Sequence, residues 1–339
     1  MPSMLTPAYT VRMGSQEWTE QLLEIRVQLA AGPSVDAAMV VLPATPAFTA
    51  QPGDAALVTL DSGERREVVF AGAIDRIRRT PATIVVSLIN AGGLMARVHP
   101  AATFEQITAG KLVRELCTEA KVDPGDIDDG VSLPFYVADP ARTGWQHVTR
   151  VAGWGGALVS VSTENKVDSV VVDAARASHA LRFGRELLAY AFDANRSYID
   201  TFATAGESGV GDASDEKVLR TTADFFGGNR PSGPGPGSSW LSAPALRTAE
   251  AAATASAARK RIYDATRDVG QFTAFLLPHL RPGTVIEVQD LPEIPVAPYW
   301  VQRVEHTLSA AGALTRVQCA RGGDAFNPAS LLGSLGSLL

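Results

Sequence analysis

Charge is scarce in this chain. Of 339 residues, 19% are Asp, Glu, Lys or Arg, and the 30 basic residues fall short of the 36 acidic ones, for a formal charge of −6. Without a basic excess there is little to neutralise phosphates, which argues against a dedicated nucleic-acid binder. Cysteine is almost missing. Cys117 and Cys319 lie far apart, each in an apolar pattern, so they suit neither a metal cluster nor the disulfide framework of a small secreted domain and are expected as buried free thiols. No window reaches the ~18 apolar residues of a membrane-crossing helix, so no stable membrane insertion is expected. The opening MPSMLTPAYTVRMG also lacks the basic start and apolar core of a secretory signal. Synthesis and folding are expected in the cytoplasm.

Apolar residues are plentiful at 46%, which is too many for a disordered polymer. A chain that spends so few charges on its surface is expected to bury part of that surface against partners. Residues 1–95 read as strands: Tyr9 to Met13, Leu22 to Leu29, Ala37 to Leu42, Ala56 to Leu60, Glu67 to Phe70, Ala73 to Arg78 after Gly72, and Thr83 to Ile89. Residues 96–166 change character. Thr103-Phe104-Glu105-Gln106 resembles a capping box ahead of a helix with Ile107, Leu112, Val113, Leu116, Cys117 and Ala120 on one stripe. A second helix runs from about Thr143 to Gly153-Trp154-Gly155-Gly156. Strands resume over 167–325, interrupted by a Gly/Pro-rich loop at 206–237 and an alanine-rich helix at 243–264, and an apolar, glycine-rich tail fills 326–339.

Order repeats within the chain. Pro52-Gly53 and the strand after it match Pro282-Gly283 and its strand at an offset of 230, and so do the closing strands that end at Gly92-Gly93 and Gly322-Gly323. Between them, Gly72 to Ile77 resembles Tyr299 to Val304 at an offset of 227. This pattern predicts a mainly β protein with two similar barrel-like domains, a small α/β insert and an Ala-rich helix. Gly53 should superpose on Gly283, and Val85 on Thr315.

Chemistry-bearing patterns are thin. His99, His147, His179, His279 and His306 show no metal-ligand spacing, and no nucleophile elbow or phosphate loop is present. Gly153 to Gly156 ends a helix instead of opening one, so it does not suit a phosphate. The acidic run Asp123 to Gly130 raises calcium but lacks the EF-hand pattern, and a solvated turn is the simpler reading. Glu64 with Glu67, or Asp193 with Asp200, are carboxylate pairs of the kind glycoside hydrolysis uses, but pairs are easily found among 36 acids. Trp240 is either an anchor of the preceding loop or an interface residue. No catalytic, cofactor-binding or metal residue is assigned, no cofactor is expected, and the chain is not expected to be an enzyme.

The run Leu280-Arg281-Pro282-Gly283, Val285 to Val288, Tyr299 to Ser309 and Val317 to Arg321, with Val301, Val304 and His306 at set places, resembles the late control gene D family of phage tails. Phe70-Ala71-Gly72-Ala73-Ile74 and Trp154-Gly155-Gly156 fit the same family, which includes the gp27-like baseplate hubs and the hub part of VgrG-like spikes. The likeness covers most of residues 5–323. It implies two tube domains per chain and a homotrimer with pseudo-sixfold symmetry, joining a hexameric tail tube to a trimeric spike among other baseplate proteins. Such a chain ends up in the baseplate of a virion or phage-like injection particle. A tail-tip cell-wall hydrolase and an unrelated two-barrel scaffold protein stay open as alternatives.

Overall fold

The structure is a computed structural model that describes residues 6–172, 177–194, 199, 201–205, 238–292 and 296–321. The 206–237 loop, the 326–339 tail, Gly322-Gly323 and Asp200 lie outside the described residues.

Period-two burial sets the strands. The first set is β1 (Ala8–Met13), β2 (Gln16–Trp18), β3 (Glu24–Ala30), β4 (Ala37–Pro43), β5 (Ala55–Asp61), β6 (Arg66–Arg79) and β7 (Thr83–Ile89). In β7, Ile84, Val86 and Leu88 are buried while their neighbours stay half-buried, as expected of a strand with one face on a core. Gly72 does not break β6. A Cβ there would stand 2.1 Å from the Ile89 carbonyl oxygen, so the glycine lets two backbones approach while the strand continues.

The middle of the chain forms α1 (Ala91–Met95), β8 (Ala102–Thr108), α2 (Ala109–Glu119), β9 (Pro124–Ile127), β10 (Ser132–Ala138), α3 (Gly144–Gly155), β11 (Leu158–Val161) and β12 (Val167–Val170). The capping box expected at Thr103 and Gln106 is instead strand. It pairs with β10 through Phe104↔Tyr136 and Ile107↔Leu133, and this long-range ladder wins over the local cap. The cap of α2 is Thr108, whose hydroxyl accepts from the Lys111 amide at 3.2 Å. The helix expected at Thr143 has a full capping box with Gln146 and ends on Gly156 at φ +77°, a left-handed position that suits glycine.

The second set is β13 (His179–Arg182), β14 (Leu187–Ala194), then β15 (Thr201–Ala205), β16 (Ser238–Ser242) and α4 (Ala249–Ala265), followed by β17 (Asp268–Phe275), β18 (Val285–Gln289), β19 (Ala297–Ser309) and β20 (Gly312–Arg321). The alanine-rich helix starts at the Thr248 cap, later than the expected residue 243. Its Ala251 and Ala255 pack into the core built by α2, α3 and β11, together with Ala243 and Leu246.

The expected barrels are not formed. One 13-stranded sheet runs β14-β17-β20-β19-β3-β4-β7-β6-β5-β1-β2, with β18 and then β13 branching from β19, and its ends do not meet. The cause lies in β19. The first part of one of its edges pairs with β18, and the rest of that edge pairs antiparallel with β3, so the second set runs on into the first instead of curling onto itself. One apolar core backs both sets, from Val11 and Val58 to Phe272 and Val317.

Both sets follow one order. β3-β4-β7-β6-β5-β1 and β14-β17-β20-β19-β18-β13 place strands of the same rank side by side, although β1 meets β5 antiparallel and β13 meets β18 parallel. The turns also agree. Gly53 (φ +94°) donates to the Ile74 carbonyl at 2.8 Å, and Gly283 (φ +88°) donates to the Val301 carbonyl at 2.8 Å. A register shift follows each turn, between Ile74 and Arg76 and between Val301 and Arg303. Across it Ile74 faces Leu88 and Val301 faces Cys319, which aligns Val85 with Arg316 and not with Thr315. The sequence alignment was one residue off, and because strands alternate, it set half-buried Val85 on fully buried Thr315.

Candidate functional site

Two polar features tie the parts together. The first lies on the seam between β3 and β19. On its solvent-facing side Gln28 donates to Glu305 at 2.7 Å, Arg316 pairs with Glu305 at 3.1 Å, and Arg303 reaches Gln28 at 3.4 Å. Partial burial raises the Glu305 carboxyl, but the bonds from Gln28 and Arg316 and the charges of Arg26 and Arg316 together hold it below its usual range. Gln271 and Thr273 on β17, Arg26 on β3 and Ser87 on β7 continue this polar face across the seam. On the core side of the seam Val27, Leu29, Val304 and His306 are fully buried or nearly so.

The second feature is Arg281, beside the Pro282-Gly283 turn. Its guanidinium donates to the Val161 carbonyl on β11 at 2.9 Å and to the Val69 and Val68 carbonyls on β6 at 3.3 and 3.4 Å. One side chain thus joins the second strand set to the first and to the middle segment. Burial lowers its pKa, opposed by the carboxylates of Asp36, Asp168 and Glu67. Asp36 is itself buried, accepting from the Ala30 amide and the Asn90 side-chain amide at 2.8 Å each, and burial pushes its pKa up to about 6. Trp145 of α3 adds another tie, donating to the Pro33 and Ser34 carbonyls at 3.1 Å each.

Of the sequence candidates, only His179 and His279 come together among the described residues. His147 is buried, hydrogen-bonded to the Tyr136 hydroxyl at 2.6 Å and to the Asp139 carbonyl at 3.0 Å, and burial lowers its pKa. His306 is fully buried, with Nδ1 3.0 Å from the Thr315 hydroxyl, and burial takes its pKa down to about 3. His179 and His279 lie against each other with ring centroids 4.5 Å apart and planes tilted by 57°; burial, then His179 and Arg65, bring His279 to about 4. His99 lies at the surface against the Pro140 carbonyl. The acidic run spends its groups on structure: Asp128 accepts from the Val171 amide at 2.7 Å, Asp129 faces Arg114, and Pro124–Ile127 is a strand. Asp193 is exposed on β14, while Asp200 lies outside the described residues and Glu64 and Glu67 stand at the β5–β6 hairpin. Trp240 falls on β16, opposite Ala203. Both cysteines are buried and free, as expected. Among the described residues, no three His, Cys, Asp or Glu side chains gather closely enough to hold a metal ion, and no helix is long and apolar enough to cross a membrane.

Asp36 escaped the sequence reading, and so did the tying role of Arg281, although Arg281 stands in the run that carries the family resemblance. A lone arginine inside the apolar run from Leu276 to Gly283 was the available signal, because a charge in such a run needs a partner.

Comparison with solved structures places this arrangement. The 43 kDa tail protein of prophage MuSo2 from Shewanella oneidensis superposes with a TM-score of 0.68 at 14% identity, covering 93% of this chain and 98% of that one. The fold is that of phage tail proteins. A tail protein from Neisseria meningitidis matches at a TM-score of 0.72 and 13% identity, over 94% of this chain and 97% of that one. An Escherichia coli component of the type VI secretion system, which exhibits structural similarity to the T4 tail proteins gp27 and gp5, matches at 0.61 and 10% identity, over 94% and 78%. The expected likeness to phage tail proteins is therefore present at the level of the fold. No family model matches the chain, and no curated protein matches it.

Proposed function

We propose that this chain is a structural hub of a phage tail or phage-like contractile injection particle. Three copies form a ring of pseudo-sixfold symmetry between a hexameric tail tube and a trimeric spike. The observation that carries this reading is the pair of strand sets with one order, joined edge to edge within one chain. Closed oligomers form by rotation, and three chains with two like sets each offer six similar faces, so a six-subunit tube can dock on each alike. In this reading residues 1–95 and 167–325 are the two tube-facing domains, and 96–166, present once per chain, keeps the threefold symmetry a spike needs. The polar face across the seam, with Gln28, Arg303, Glu305 and Arg316, suits a wet lumen. The role is structural and not catalytic.

The experiment is native mass spectrometry of the purified chain with the tube and spike proteins of the same particle, followed by cryo-electron microscopy of the assembly. A trimer between tube and spike is the expected result. A dimer or a symmetric tetramer in the assembled particle overturns the proposal.

A further inference from the structure

Two of the strand edges that lack a strand partner among the described residues hold complementary places in the two sets. β14 ends the sheet. β6 pairs with β5 only through Arg66 to Ala73, and past the Gly53–Ile74 hydrogen bonds its outer edge from Arg76 to Arg79 is free. In the second set the corresponding edge, Arg303 to His306 of β19, is taken by β3, whose pairing there runs on to Ser309. β14 has the rank in the second set that β3 has in the first.

We propose that β14 of one copy adds antiparallel to the free half of β6 in the next copy, repeating between chains the seam that β3 and β19 form within one. The proposal rests on the hub reading and supplies its contact.

The register follows from pairings already described. Val27 faces Ala38, which faces Leu88; Phe192 faces Gly270, which faces Cys319. Leu88 and Cys319 hold the same place after the turn, so Phe192 stands for Val27, and by the same alignment Arg79 stands for His306. Within the chain Val27 faces His306 and Gln28 faces Glu305. Between chains Phe192 then faces Arg79, and Asp193 faces Arg78.

The chemistry of that register is complementary. The polar Gln28–Glu305 contact becomes an opposite-charge pair, and Asp193 and Arg78 are both exposed in the single chain. Arg79, which lies over the Phe48 ring at 5.1 Å within its own chain, would bring its stem alongside the Phe192 ring. A free strand edge is a ready template for main-chain pairing, and this one recruits a second copy of the chain. Three copies then carry six seams, three within chains and three shorter ones of the same register between them.

Cross-linking tests the register. Opposed residues on antiparallel strands lie within disulfide reach, and the native thiols Cys117 and Cys319 are buried. Under mild oxidation the double variant Arg78→Cys with Asp193→Cys should yield covalent trimers, while Arg78→Cys with Ala189→Cys should not. Separately, Arg78→Glu or Asp193→Arg should each raise the concentration for half-assembly roughly tenfold, and combining them should restore it. A trimer that forms without the 78–193 link, or that ignores both charge reversals, overturns the edge pairing and leaves the hub reading standing. A chain that stays monomeric with its tube and spike partners overturns both.

Discussion

Replacing Arg281 by Met tests whether one side chain holds the three parts of the chain together. The methionine keeps most of the stem and removes only the guanidinium, so the loss is polar. One guanidinium nitrogen serves the Val161 carbonyl at 2.9 Å, and the other is shared between the Val69 and Val68 carbonyls at 3.3 and 3.4 Å. That amounts to two effective charge-assisted bonds, at about 1.5–3 kcal/mol each. The longer, shared one belongs at the low end, so the expected loss is about 4 kcal/mol, a fall in melting temperature of roughly 10 °C. Asp36 also loses the cation that opposes its desolvation, which adds to the cost. Urea unfolding followed by tryptophan fluorescence reads the change, because Trp145 and Trp154 report the middle segment and Trp300 reports β19. The variant should unfold in two separated steps, the middle segment first. A loss below about 1 kcal/mol with a single coincident transition would refute the claim that Arg281 couples the parts.

Two further predictions follow from buried titratable groups. Asp36 has a folded pKa of about 6, above its ordinary 3.8, so between about pH 4 and 6 the folded protein holds a proton that the unfolded chain has lost. Its contribution to stability therefore falls as pH rises through that window, by about 3 kcal/mol in all. Asp36→Asn should gain by that amount on the wild type between pH 4 and pH 7 in urea midpoints, and parallel profiles would show that the carboxyl does not titrate there. Burial pushes the Cys117 thiol up to about 12 and raises Cys319 as well. Neither should react with a thiol reagent at pH 8 until urea unfolds the chain, and prompt labelling of the native protein would contradict the packing.

Local pattern was legible in the sequence. Ile84, Val86 and Leu88 alternate in the chain and alternate in burial, and Thr143 with Gln146 forms the cap at the start of the second helix. The repeat was legible too, because a Pro-Gly turn needing positive φ marks the same hydrogen bond in both sets. What was missed depends on distant partners. The Thr103 cap lost to a ladder with β10, and closure into barrels lost to the pairing of Gln28 with Glu305, which lie at opposite ends of the chain. The one-residue slip at Val85 has a related cause. The register shifts in β6 and β19 move the phase of the last strand, and no residue type announces a bulge there.

The seam between β3 and β19 also sets a schedule for synthesis. β3 emerges within the first thirty residues, but its partner is complete only at Ser309. At roughly 5–20 residues per second, translation leaves that edge waiting for tens of seconds. Throughout that interval a nascent chain shows a bare strand to every neighbour on the same messenger. Glu24, Arg26 and Gln28 alternate along it, and Glu24 and Arg26 pair with each other at 2.9 Å. Charge on a waiting edge discourages premature zippering between ribosomes. The residues that later line the polar side of the seam therefore also serve as its guard while the rest of the protein is being made.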